Sequence, residues 1–138
     1  MPLSEAAAEQ EASWVAEFTI GEVLRHIAAT FAERPALVFP QEKLSLTYAE
    51  YDHQVDAIAK GLLACGIQKG DHVALWASNV PHWPLLQMAT ARIGAVLVNI
   101  NPASGLHGLE YALAQCDMKA LFFNDRFRRL QLLADANR

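Results

Sequence analysis

Three short runs, Val73–Ala77, Gly94–Ile100 and Ala120–Phe123, are apolar with little alternation between one residue and the next. A strand with one wet face must alternate with period two, because successive side chains point to opposite sides of a sheet. Runs that do not alternate belong to strands covered on both faces, as in parallel sheets. Hydrophobic residues make up 53% of the 138-residue chain before its glycines are counted. Ordinary soluble domains reach roughly 45–50% with glycine included. That surplus demands helices wrapped around the strands, and the segments between the runs supply them.

Thr19-Ile-Gly-Glu22 has the form of a capping box, in which two side chains each satisfy a backbone N–H at a helix start. Ile20, Val23, Leu24, Ile27, Ala28 and Phe31 follow at helical spacing, so a helix is predicted over Ile20–Glu33, stopped by Pro35. Ala36–Phe39 and Leu44–Thr47 read as a short strand pair around Pro40–Lys43. A second box, Thr47-Tyr-Ala-Glu50, opens a helix whose apolar face is Tyr51, Val55, Ile58, Ala59, Leu62 and Leu63, with Gly66 as its left-handed terminator. Gly70-Asp71 turns into the first buried strand. Pro81 suits the first turn of the next helix, which runs to Ile93, and Ala95–Asn99 is the second strand. A helix over Leu106–Cys116, the third strand over Lys119–Phe123 and a helix over Phe127–Ala136 complete the order. From Thr47 onward the pattern is α-β-α-β-α-β-α, which implies a parallel sheet with right-handed crossovers.

No apolar run approaches the roughly 20 residues that span a bilayer. Met1–Ala12 is acidic and alanine-rich, without the basic and apolar regions of a signal peptide. A net charge of −4 argues against nucleic acid, and the basic cluster Arg126, Arg128 and Arg129 reads as a solvated helix face. Cys65 and Cys116, far apart and outside any ligand-like cluster, read as two buried reduced thiols of a cytoplasmic protein.

Chemistry is harder to find. Gly61-Leu-Leu-Ala-Cys-Gly66 has the glycine spacing of a phosphate loop. Ile67-Gln68 follow where lysine and a hydroxyl residue are required, and the segment lies at a helix end. No G-x-G-x-x-G is present. His26, His53, His72, His82 and His107 are scattered singly, without metal-ligand spacing. Ser78-Asn79 and Ser104-Gly105 sit on loops after strands, where ligands gather in α/β folds, but neither serine has the surround of a nucleophile elbow. Trp76 and Trp83 read as packing anchors and Glu50 as the capping partner of Thr47. No catalytic, cofactor-binding or metal-ligating residue is assigned on these grounds.

The order of the blocks carries a resemblance. Leu46-Thr-Tyr-Ala-Glu-Tyr51 resembles the first block of adenylate-forming enzymes. Gly66-Ile-Gln-Lys-Gly-Asp71-His-Val-Ala-Leu-Trp76, continuing through Asn79, Pro81 and Trp83, is similar to their next strand and helix start. Ala91-Arg-Ile-Gly94-Ala-Val-Leu-Val-Asn99-Ile-Asn101-Pro102 resembles the block in which a strand runs into Asn-Pro. Within that superfamily the Asn-Pro pair and Pro81-His-Trp83 look like fatty and aryl acid ligases, the acyl-CoA synthetases. The departures are His82, where glutamate is common, and Ser104-Gly105 with Gly108, which should weaken their helix by about 1 kcal/mol per glycine.

The resemblance implies an α/β fold, a partial parallel-sheet layer with flanking helices, as the N-terminal subdomain portion of an adenylate-forming ligase. Residues 1–18 are then a disordered or loosely attached leader, and residues 19–138 an incomplete N-terminal part of an AMP-binding domain. The parent enzyme would use ATP, Mg2+ and coenzyme A to activate a carboxylic acid as acyl-AMP and pass it to the thiol. Its catalytic motifs would lie beyond Arg138, so this stretch alone would be inactive, with the remainder of its own chain as partner. Two other readings stand beside it. One is a free-standing, non-catalytic α/β interaction module; the other is a nucleotide-binding domain of another class, which lacks the phosphate loop it needs.

Overall fold

The structure, a computed structural model, describes residues 18–124, 126–127 and 130–131. The leader expected over residues 1–18 lies outside them except for Phe18, whose ring stacks on His26 with centroids 5.3 Å apart.

Helix α1 spans Ile20–Thr30 and begins with the expected capping box. The Glu22 carboxylate accepts the Thr19 N–H at 2.8 Å, while the Thr19 hydroxyl accepts the Glu22 N–H at 3.3 Å. The helix ends three residues before the predicted Glu33. The released segment has another use: the carbonyls of Ala32 and Arg34 each accept, at 3.0 Å, the N–H groups of Ala49 and Tyr48. Those amides open the next helix and would otherwise be orphaned. Strands β1 (Pro35–Phe39) and β2 (Leu44–Thr47) form the predicted antiparallel pair.

Helix α2 runs over Tyr48–Ala64 from the second capping box. Tyr51, Val55, Ala59 and Leu62 make its buried stripe, but Leu63, expected on that face, is 53% exposed. One residue past Leu62 is a 100° rotation, which carries Leu63 off the stripe. The helix closes in a Schellman motif. Gly66, at φ 85°, donates its N–H to the Leu63 carbonyl, and Ile67 donates to Leu62, both at 3.0 Å. Ile67 and Leu62 are themselves buried, the apolar contact that accompanies such ends.

Strand β3 (His72–Trp76), helix α3 (His82–Ile93), strand β4 (Val96–Ile100), a 3-10 turn at Pro102–Ser104, helix α4 (Gly105–Gln115) and strand β5 (Met118–Phe123) follow. The three strands form one parallel sheet in the order β4-β3-β5, with Val73 opposite both Leu97 and Ala120. On one face Val73, Leu75 and Ala77 pack with Val55, Leu62, Leu86 and Ala89 of the α1–α3 layer. On the other, Ala74 and Trp76 pack with Ile100 and Leu109. That two-sided burial explains the unbroken apolar run of β3. The same expectation fails for its neighbours: Val96 is 44%, Phe122 40% and Phe123 38% exposed. Each neighbour pairs with β3 alone within this sheet, and α4 buries only Leu109.

The helix predicted over Phe127–Ala136 is also corrected. Arg126–Phe127 (β6) and Leu130–Gln131 (β7) form a short antiparallel pair, and the rest of that prediction lies outside the described residues. A ten-residue apolar pattern is too short for periodicity to separate helix from strand.

Candidate functional site

Sheet order places the candidate site. From the carboxyl end of β3 the chain enters α3 and returns as β4 on one side, while β5 lies on the other. Parallel sheets open a crevice where connections diverge, and ligands collect there. A cleft of about 320 Å³ occupies this position. It is lined by Ile58, Leu75, Leu86, Phe122 and Phe123 among others, and His82 and Asn124 stand among its lining polar residues. The ends of β3 and β5 are tied across it: the Asn124 carboxamide donates to the Ser78 hydroxyl at 3.2 Å and accepts the Ser78 N–H at 3.3 Å.

This arrangement suits apolar groups. A carboxamide is not a base, so the Asn124 contact does not activate the Ser78 hydroxyl as a nucleophile. His82 is exposed at the first position of α3, and Asn79 is exposed beside it. Ser104 sits apart, in the turn after β4, where Asn101 caps the Ala103 N–H at 2.9 Å. Its neighbourhood explains one of the glycines that weaken α4: a Cβ on Gly108 would stand 2.2 Å from the Ser104 Cβ. Gly61–Gly66 does lie within and at the end of α2, where its amides serve the helix, so it forms no phosphate cradle. Among the described residues no group of three or more His, Cys, Asp or Glu could hold a metal ion. No chemical step is assigned to these residues.

The remaining candidates resolve as structure. Trp76 is fully buried and Trp83 half-buried against the core. Glu50 caps α2, accepting the Thr47 N–H at 2.8 Å. Both cysteines are free, but neither is buried as expected: Cys65 is exposed and Cys116 half-buried. Cys65 is the capping residue at the end of α2, where the chain turns outward. Side chains of the Arg126, Arg128 and Arg129 cluster lie outside the description.

Sequence reasoning missed the main electrostatic feature. Arg92, on α3 with a side chain 9% exposed, pairs with Asp52 and with Asp56 of α2, the latter at 2.8 Å. It also donates to the carbonyls of Asp52 and of Gly21 on α1, both at 3.3 Å. Gly21 is what lets α1 approach so closely, since a Cβ there would meet the Arg92 Cα at 2.8 Å. The hydrogen bond from Arg92 holds the Asp56 carboxyl below its ordinary range against the cost of desolvation, with the charges of Arg92, Lys60 and Arg25 helping. Nearby, the Tyr51 hydroxyl donates to the Pro84 carbonyl at 2.9 Å, and burial pushes its pKa up to about 12. The available signal was a pair of aspartates four apart on one helix and a lone arginine within another. Together these contacts lock α1, α2 and α3 into one layer beneath the sheet.

That layer and sheet have close counterparts. The fold superimposes on the inhibitor-bound N-terminal domain of FACL13 from Mycobacterium tuberculosis with a TM-score of 0.74 and 31% identity, covering 76% of this chain and 26% of that one. For the N-terminal subdomain of NpsA from Klebsiella oxytoca the values are 0.73 and 27%, over 80% and 29%. The YngI protein of Bacillus subtilis (strain 168) is 46% identical over 110 residues, 80% of this chain and 20% of that protein. The human mitochondrial medium-chain acyl-CoA ligase ACSF2 is 42% identical over 113 residues, 82% and 18%. The chain thus spans about a fifth of the length of the curated relatives it matches. The AMP-binding enzyme family model matches residues 24–137, from within α1 past the last described pair of strands, and the chain belongs to that family.

Proposed function

We propose that this chain is the N-terminal portion of an ATP-dependent acyl-CoA synthetase, one that activates a fatty or other organic acid as acyl-AMP and transfers it to coenzyme A. The observation that carries this reading is the ordered set of blocks Leu46–Tyr51, Gly66–Trp83 and Ala91–Pro102, the last two supplying β3 and β4 of the parallel sheet, in a chain whose relatives include named acyl-CoA ligases. In this reading residues 1–18 are a leader and 19–138 the first part of the AMP-binding domain, with no catalytic, cofactor or metal residue among them. ATP, Mg2+, coenzyme A and the carboxylic acid are held by the remainder of the protein, which acts in the cytoplasm and has no nucleic-acid partner. The role of this part is to supply a rigid sheet against which that remainder is built. The exposed Val96, Phe122 and Phe123 fit a sheet whose cover is supplied by further chain, and a free-standing, non-catalytic interaction module remains the alternative.

The test is to supply purified residues 1–138, and separately the complete protein from its source, with MgATP, a panel of fatty acids and coenzyme A. The complete protein is expected to form acyl-CoA and the isolated chain none. Turnover by residues 1–138 alone would refute the division of labour, and a complete protein unable to adenylate any acid in the panel would refute the activity.

A further inference from the structure

We infer that residues 1–17 run back along the outer side of α1 and seat Trp14 in the groove lined by His26, Ile27, Thr30 and Phe31. The groove is a hollow of about 260 Å³, and a second hollow of about 540 Å³, lined by Arg34, Pro35 and Tyr48, shares Ile27 and Phe31 with it. Phe31 is 41% exposed there, a large apolar ring left open at the end of a helix. The chain already enters α1 on this side: Phe18 is half-buried, and its ring stacks on His26 with centroids 5.3 Å apart. Trp14 and Val15 are the nearest large apolar residues upstream of Phe18. From Ile20 to Ile27 the helix rises about 10 Å. The four residues from Phe18 back to Trp14 span up to about 14 Å when extended, so the indole reaches the groove. Charge favours the same occupant. Residues 1–17 carry Glu5, Glu9, Glu11 and Glu17 with no lysine or arginine. Arg34 lines the second hollow with its guanidinium 4.7 Å from the Phe31 ring centroid, and it pairs with no carboxylate among the described residues. An unpaired exposed cation beside an apolar groove selects an acidic segment that carries an aromatic anchor. Residues 1–17 also precede the stretch, 24–137, that matches the family model, so this occupant is not part of the AMP-binding match. A second copy of the chain and later segments of the complete protein are the competing occupants.

The complete protein carrying a photo-crosslinking phenylalanine analogue at position 14, and a second variant carrying it at position 30, would be irradiated and the joined peptides sequenced. Mixing each with isotope-labelled protein tells joins within one chain from joins between copies. Position 14 is expected to join residues 26–35 or Tyr48 of its own chain, and position 30 to join residues 1–17. Should the position-30 variant misfold, the position-14 variant, altered outside the described residues, reports alone. Adding Trp14→Ser to the position-30 variant should lower its yield several-fold, because the indole supplies the apolar burial that holds the segment. An equal yield would show a segment merely tethered nearby and would overturn the inference. Joins to a second copy, to residues away from the two hollows, or to no peptide would overturn it as well. None of these readouts depends on acyl-CoA formation, so the docking and the proposed activity stand or fall separately.

Discussion

Replacing Arg92 by methionine should reveal how much of the α1–α2–α3 layer depends on one guanidinium. Arg92 makes charged hydrogen bonds to two carboxylates and two further bonds to backbone carbonyls. A hydrogen bond to a charged group contributes about 1.5–3 kcal/mol, so the two carboxylate bonds represent roughly 3–6 kcal/mol before correction. Two effects reduce that. Asp52 and Asp56 are 23% and 35% exposed and regain water when the cation is removed, while methionine escapes the desolvation cost that Arg92 bears at 9% exposure. A net loss of about 2–3 kcal/mol is expected, a large share of the roughly 5–15 kcal/mol that holds a domain together. Urea unfolding followed by circular dichroism at pH 7 and at stepwise lower pH measures it. Because the folded Asp56 carboxyl titrates below its unfolded value, its contribution is complete above about pH 4 and fades as the pH falls through the depressed folded value. The wild-type chain should therefore lose stability on acidification more steeply than Arg92→Met, and the two curves should converge. A variant within about 0.5 kcal/mol of wild type at pH 7, or one with an unchanged pH slope, would refute the reasoning.

Three other outcomes are expected. Gly21→Ala gains at most about 1 kcal/mol of helix propensity but forces a Cβ to within 2.8 Å of the Arg92 Cα, so it should destabilise by roughly 1 kcal/mol net; a higher melting temperature would show that α1 simply slides away. Thr47→Ala removes the hydroxyl that accepts the Glu50 N–H and should cost about 1 kcal/mol in the same urea titration, with no loss read as evidence that water replaces the cap. Tyr51→Phe deletes the bond to the Pro84 carbonyl while keeping the ring buried; a loss of about 1 kcal/mol is expected, and a gain in stability would contradict the importance of that bond.

Most of the backbone plan was legible because it is written in local chemistry. Thr19 and Thr47 each have a glutamate three residues on, and both boxes form as the sequence implies. The non-alternating run of β3 marks a strand covered on both faces, and it is. What could not be read was relational. The Gly94–Ile100 and Ala120–Phe123 runs are as apolar as β3, yet β4 and β5 are left half-open because sheet order, which no local pattern encodes, puts them outside it. The short reach of α1 depends on which amides its released carbonyls meet, those of Tyr48 and Ala49. The loop Ser78-Asn79 was anticipated beside the cleft, but not the cleft itself, since Phe122 and Phe123 in its lining come from more than forty residues later. Arg92 was invisible as a partner for Asp52 and Asp56 for the same reason.

The order β4-β3-β5 also sets a timetable for the chain as it is made. The first strand of this sheet to be synthesised is the central one, and it has nothing to pair with in the sheet until its neighbours emerge: His72 pairs with Val96, and Val73 with Ala120. At roughly 5–20 residues per second, β3 must wait on the order of 1–5 seconds for β4 and about twice as long for β5. During that interval its apolar side chains have α1 and α2, and then α3, for shelter on one face, held in place by early, short-range contacts such as the two capping boxes and the Schellman turn. The helices that precede β3 thus act as its first chaperone, and β5, with Phe122 and Phe123, is the last strand of the sheet to be secured.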